Sequence, residues 1–115
     1  MRHKQFKLSS EEIKPLVPAM GAAFATDMIT VDGKGVGYMY REIPGRPGDS
    51  GWRFFSGDED QAYTENSANT SIYSVNTIAN YDPDIIPYVT TPAPCAFEKV
   101  TGTHRYRKVD PPGAH

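Results

Sequence analysis

Apolar and polar positions alternate along this chain in short blocks, and the spacing changes from block to block. Met28-Ile29-Thr30-Val31 and Val36-Gly37-Tyr38-Met39-Tyr40 are β-rich runs on either side of Asp32-Gly33-Lys34-Gly35. Glycines supply the positive φ that tight hairpin turns need, so this stretch predicts a β-hairpin. Trp52-Arg53-Phe54-Phe55 predicts a strand that brings three aromatics into or against the core. Ile72, Val75, Ile78 and Ala79 recur at helical spacing and predict a helix over 71–80. Near the C-terminus, 96–100 and 105–109 alternate as strands do, with Thr101-Gly102-Thr103 as the turn between them.

Polar residues punctuate these blocks. Ser9-Ser10-Glu11-Glu12 has the form of a capping box, in which Ser and Glu satisfy each other's free backbone N–H groups, and Pro15 and Pro18 limit the helix that follows. Ser56-Gly57-Asp58-Glu59 has the same form. It places Asp58, Glu59 and Asp60 in the first turn of a helix reaching about Glu65, where the macrodipole favours negative charge. Asp82-Pro83 predicts a helical turn with proline at its first position. Residues 44–51 and 66–69 read as loops, 1–8 as a frayed arm and 110–115 as a loose tail. The sum is one α+β domain over 1–115. Its mainly antiparallel sheet has about five strands, with two or three short helices packed on it.

Composition narrows the class. A chain of 115 residues fits one domain, and ten Gly with ten Pro account for generous loops. The lone Cys95 excludes an internal disulfide. The polar start MRHKQFKLSSEE lacks a signal-peptide core, and no run approaches the ~18 apolar residues of a membrane helix. These features predict a cytoplasmic protein with no membrane partner, and they discount the sequon at Asn69. Charge is uneven: Asp49 to Asp84 holds seven acids against one base, a net of −6, while the remainder holds seven acids against eleven bases, a net of +4. The acidic middle repels nucleic acid and suits a basic partner. The short basic clusters Arg2, Lys4, Lys7 and Arg105, Arg107, Lys108 form no basic-aromatic platform.

Candidate chemistry is sparse. Asp58, Glu59 and Asp60 lack calcium-loop spacing, clustered histidines or a partner acid, so helix capping explains them better than a metal site or a carboxylate hydrolase. An acidic rim around an aromatic anchor is the second reading, and it matches the anatomy of binding hot spots. Trp52 reads as half-buried core before surface anchor. Tyr73, Tyr81 and Tyr88 read as core rings with capped hydroxyls. Cys95 reads as a small packed side chain. His3, His104 and His115 are too scattered for zinc, and Gly33-x-Gly35-x-Gly37 lacks the rest of a nucleotide loop. No cofactor, metal or catalytic residue is expected.

The run Gly51-Trp52-Arg53-Phe54-Phe55-Ser56-Gly57-Asp58-Glu59-Asp60 resembles the signature of the bacterial immunity protein 33 family. Residues 72–83, from Ile72 to Pro83, resemble it too, as do Ile85-Ile86-Pro87, Val36 to Glu42 and, more loosely, Ala96-Phe97-Glu98. The resemblance spans roughly residues 27–100 and departs from the family pattern at Thr64–Thr70 and Pro94-Cys95. It implies a non-catalytic protein that binds and neutralises a cognate bacterial toxin. Combined with the acidic middle, it nominates Trp52, Asp58, Glu59, Asp60, Tyr81 and Asp82 as the partner-binding patch. A small-ligand or regulatory binding domain is the alternative, favoured by an apolar pocket lined by Trp52, Phe55 and Tyr73. An enzyme with a deep cleft around Asp58–Asp60 is the third.

Overall fold

A computed structural model describes residues 4–113, so Arg2, His3 and His115 lie outside the described residues. Six strands form a single sheet: β1 (Ala22–Thr26), β2 (Tyr38–Arg41), β3 (Asp49–Phe55), β4 (Thr70–Ser74), β5 (Cys95–Lys99) and β6 (Tyr106–Val109). Their spatial order is β4-β1-β3-β2-β5-β6. Only β1 and β3 run parallel; the other neighbours are antiparallel. The three α-helices are short: α1 (Asp27–Thr30), α2 (Gln61–Glu65) and α3 (Val75–Tyr81). The α+β class holds, with one strand more than the sequence pattern suggests.

The core lies on one face of the sheet. On β3, Trp52 and Phe54 point inward and stack, with ring centroids 5.8 Å apart. Met39 of β2 and Phe97 of β5 extend the same layer. Ile29 of α1, Val75 and Ile78 of α3, Ile85 and Val89 close over it. Trp52 is 0% exposed, and its indole N–H donates to the Val89 carbonyl at 2.9 Å, so the ring is buried without an orphan donor. Each such aromatic contributes about 3–5 kcal/mol by the usual cost of truncation to alanine.

Several local expectations are corrected. The segment 28–31 is not a strand of a hairpin: Asp27–Thr30 forms α1. Gly33, at φ +79°, lets the chain leave that helical turn, while the N–H groups of Val31 and Asp32 return to the Asp27 carbonyl. The glycine is a helix terminator here, and burial of Ile29 outweighs the strand preference of the β-branched residues. In place of that hairpin, β2 pairs with β3 and β5, and β3 takes β1 on its other side, an Ala-rich strand whose small Ala23 and Ala25 allow α3 to pack closely on the sheet. The helix expected over 71–80 divides: Thr70–Ser74 pairs with β1 as an edge strand, and Ser74 caps α3 by accepting the Thr77 N–H at 3.1 Å. Strand β3 begins at Asp49, inside the stretch read as loop. The arm is anchored from Lys4 onward. Lys7 N–H donates to the Thr30 carbonyl at 2.8 Å, and Leu8 N–H to the Tyr81 hydroxyl at 3.2 Å.

Two features hold the elements in register, one polar and one of backbone shape. Asp82, 7% exposed, accepts from the Val36 N–H at 2.8 Å, the Asp84 N–H at 3.1 Å and the Lys99 ammonium at 3.3 Å. Tyr106 donates to the Val36 carbonyl at 2.6 Å, and burial first, then the Asp82 charge, pushes its phenol well above the usual range. The second feature is the irregular pairing of β1 with β3, where Ala22 faces Asp49 and Phe24 faces Arg53. Gly51 fills that irregularity at φ +88°, and a Cβ there would sit 2.1 Å from the Glu42 carbonyl oxygen. Gly51→Ala is expected to lower unfolding stability by about 3 kcal/mol, read as a lower denaturant midpoint at unchanged slope.

Candidate functional site

Among the described residues, the face of the sheet opposite the core is left largely open, with Thr64 of α2 at its border. Strand alternation sends Arg53 and Phe55 of β3 to this side, together with Tyr38 and Tyr40 of β2. Pairing adds Phe24 of β1, Ile72 of β4, and Ala96 and Glu98 of β5. Phe24 is 36% and Ile72 65% exposed, which is unusual for large apolar side chains sharing one surface.

An aromatic cluster occupies the centre of this face. Phe55 stacks on Tyr40 at 5.9 Å with 12° between the ring planes, and lies 5.9 Å from Tyr38. Tyr38 and Tyr40 are 6.0 Å apart. These rings border an open cavity of about 470 Å³, whose other walls are Glu59, Thr64 and Glu98, with Gly37 and Gly57 supplying backbone. Gly37 has no room for a side chain, since a Cβ would meet the Ser56 carbonyl oxygen at 2.0 Å. Burial raises the Tyr38 phenol, and the neighbouring Tyr40 and Glu98 add to the effect. Burial raises Tyr40 likewise, so both phenols are neutral at physiological pH.

Carboxylates stand at both ends of the cavity. Glu59 accepts from the Thr26 hydroxyl, the Ser56 N–H at 2.8 Å, the Ser56 hydroxyl at 3.0 Å and the Gly57 N–H at 2.9 Å. Burial pushes its carboxyl up, but the bonds from Thr26 and Ser56 outweigh that, and the net shift is downward. Glu98 pairs with Arg107 of β6 across exposed surface. On the other flank, Arg53 lies 4.6 Å from the centre of the Phe24 ring and bridges Glu42 at 2.8 Å and Asp49 at 2.9 Å. The Arg53 hydrogen bonds draw the Asp49 carboxyl down to about 2.

The nominated residues Trp52, Asp58, Glu59, Asp60, Tyr81 and Asp82 do not share one surface. Trp52 and Asp82 are interior, as described above. Tyr81 is half-buried and holds the N-terminal arm. Asp58 is exposed and pairs with Lys34 at 2.9 Å. Asp60 is exposed and caps α2 by accepting the Tyr63 N–H at 2.8 Å, so the helix begins after the acidic run and holds none of it in its first turn. Glu59 alone of the six borders the aromatic cavity. Trp52, Phe55 and Tyr73 do not line a common pocket, because Phe55 lies on the outer face while Trp52 and Tyr73 lie on the core side. The tyrosine hydroxyls are capped as expected: Tyr73 with the Thr30 hydroxyl at 3.0 Å, and Tyr88 by the Tyr106 N–H at 3.1 Å. Cys95 is buried.

Tyr38, Tyr40, Phe24 and Glu98 are the site residues that sequence reasoning missed. The signal was the period-two alternation within 36–40 and 52–55, which sets Tyr38, Tyr40 and Phe55 opposite Met39, Trp52 and Phe54. Among the described residues, no group of three His, Cys, Asp or Glu is placed to hold a metal, and no helix is long and apolar enough to cross a membrane.

Glu59 gives a test of this local structure. Its folded carboxyl lies below the ordinary value of 4.5, so its contribution is present above that value and lost as pH falls through the lowered one. Glu59→Gln should cost about 1–3 kcal/mol at neutral pH, with the gap from the wild type closing in acid. Chemical unfolding at a series of pH values measures this.

Searches of the curated proteins and of the solved structures each returned no match. Among known families, the immunity protein Imm33 domain matches residues 23–110, from β1 to the end of β6, and so takes in every strand that builds the uncovered face except the first residue of β1. With that match across most of its length, the chain belongs to the Imm33 immunity-protein family.

Proposed function

We propose that this chain neutralises a cognate protein toxin by binding it, without catalysis, through the uncovered face of its sheet. The observation that carries the reading is an aromatic surface left open in a member of an immunity family: Tyr38, Tyr40, Phe55, Phe24 and Ile72 on one face. Aromatic residues ringed by polar groups supply most of the energy in protein interfaces. Asp58, Asp60 and Glu65 stand exposed beside this face, near the half-buried Glu59. A toxin that acts on nucleic acid must present cations to phosphates, and an acidic cover would both attract and occlude that surface.

Within this reading the six residues nominated from sequence take separate roles. Asp58, Glu59 and Asp60 supply the acidic rim, while Trp52 and Asp82 hold the interior and Tyr81 anchors the N-terminal arm. A small-ligand reading draws on the same 470 Å³ cavity, which has the size of a ligand pocket. The open sheet around it favours a macromolecular partner.

Co-expression with a candidate toxin from a neighbouring gene tests the proposal. Cells should survive only when the immunity chain is present, and equal killing with and without it would refute the pairing. In purified form, the association rate should fall by about an order of magnitude or more as salt is raised, as electrostatic steering requires.

A further inference from the structure

We infer that the cavity between β2, β3 and β5 is a receptor for one cationic side chain, an arginine or lysine, presented by the protein partner. The inference deepens the toxin-binding reading and rests on it for the identity of the partner.

Three observations point to a cation. The cavity is walled by the rings of Tyr38, Tyr40 and Phe55, all within 6.0 Å of one another, and ring faces attract cations through their quadrupole. Glu59 and Glu98 stand at its edge, yet among the described residues no lysine or arginine lines it. The Glu59 charge is held by neutral hydroxyl and backbone donors, and the nearby Lys34 forms its salt bridge with Asp58 instead.

Glu98 is paired only at the surface. Its partner Arg107 is 66% exposed at the side chain and Glu98 itself 45%, so their bond is a surface pair that contributes little and exchanges readily. An incoming guanidinium could take the Glu98 carboxylate while lying against the rings, where it would be shielded from water and bound more strongly than Arg107 is. The site differs from that of Arg53 on the same face, whose guanidinium already covers Phe24 and is satisfied by two carboxylates of its own. One aromatic station is thus filled from within the chain and the other is left empty.

The test has two arms on the full chain. In the first, N-acetyl-arginine amide is titrated while the ring resonances of Tyr38, Tyr40 and Phe55 are followed by NMR. N-acetyl-citrulline amide, of the same shape without the charge, is the control. Saturable shifts with the arginine probe alone support the inference, and their loss in Tyr40→Ala and weakening in Glu98→Gln would locate it. Equal shifts with both probes, or none with either, overturn it.

In the second arm, the candidate toxin is bound to wild type, Glu98→Gln and Tyr40→Ala. Each substitution should weaken binding by about tenfold or more, the range of an interface anchor. Glu98→Gln is a surface change that keeps the fold, so it decides the matter if Tyr40→Ala unfolds. Tight binding by wild type and both variants alike would overturn the cation receptor and leave the immunity reading standing. A wild type that fails to bind would sink the immunity reading, while the probe titration still decides the cavity.

Discussion

Strand β3 is hydrogen-bonded on both sides, to β1 in parallel and to β2 antiparallel, and its side chains alternate between two environments. Burial of Trp52 and Phe54 fixes which way that alternation falls. A slip of one residue would bring Arg53 and Phe55 inward and expose the two rings, losing several kcal/mol of buried aromatic surface. The indole bond to Val89 adds a polar lock to the apolar one. Because β1 and β2 take their register from β3, the placement of Phe24, Tyr38 and Tyr40 on the outer face follows from the same burial.

The backbone around Val36 and Gly37 transmits this order to the cavity. Val36 gives its N–H to Asp82 and its carbonyl to Tyr106, so the buried carboxylate and the buried phenol both hold the entry to β2. Gly37 then donates to the Phe55 carbonyl and accepts from the Lys99 N–H, each at 2.9 Å. The wall of the cavity is therefore set by main-chain bonds, and Asp82 acts on it from the interior. A buried charge of this kind is tolerable because Lys99 and the surrounding donors satisfy it.

What could be read from sequence was what is decided locally. The Ser9–Glu12 box, the Asp82-Pro83 turn and the β5–β6 hairpin all form between near neighbours, and all are present. Strand β1 was not legible, because alanine has little strand preference and its partners lie some 30 and 50 positions away. Met28–Val31 misled for the opposite reason: its β-branched residues favour a strand, but the chain must turn there to cover the core. At the site, the single tryptophan drew attention to the inner face. Alternation separates Trp52 from Phe55 at once, yet it does not say which face the helices will cover. That depends on where α3 packs, and α3 lands over Ala23 and Ala25 because they are small.

Dividing β3 between a sealed face and an open one also bears on how such a protein can change over generations. A substitution at an exposed outer position such as Ile72 or Glu98 alters the outer surface while Trp52, Phe54 and Met39 keep their neighbours, and surface changes of that sort usually leave stability within about half a kcal/mol. Effects on folding and on recognition would then be nearly additive across the sheet. A lineage facing a drifting adversary could rewrite one side of its sheet, one residue at a time, without renegotiating the other.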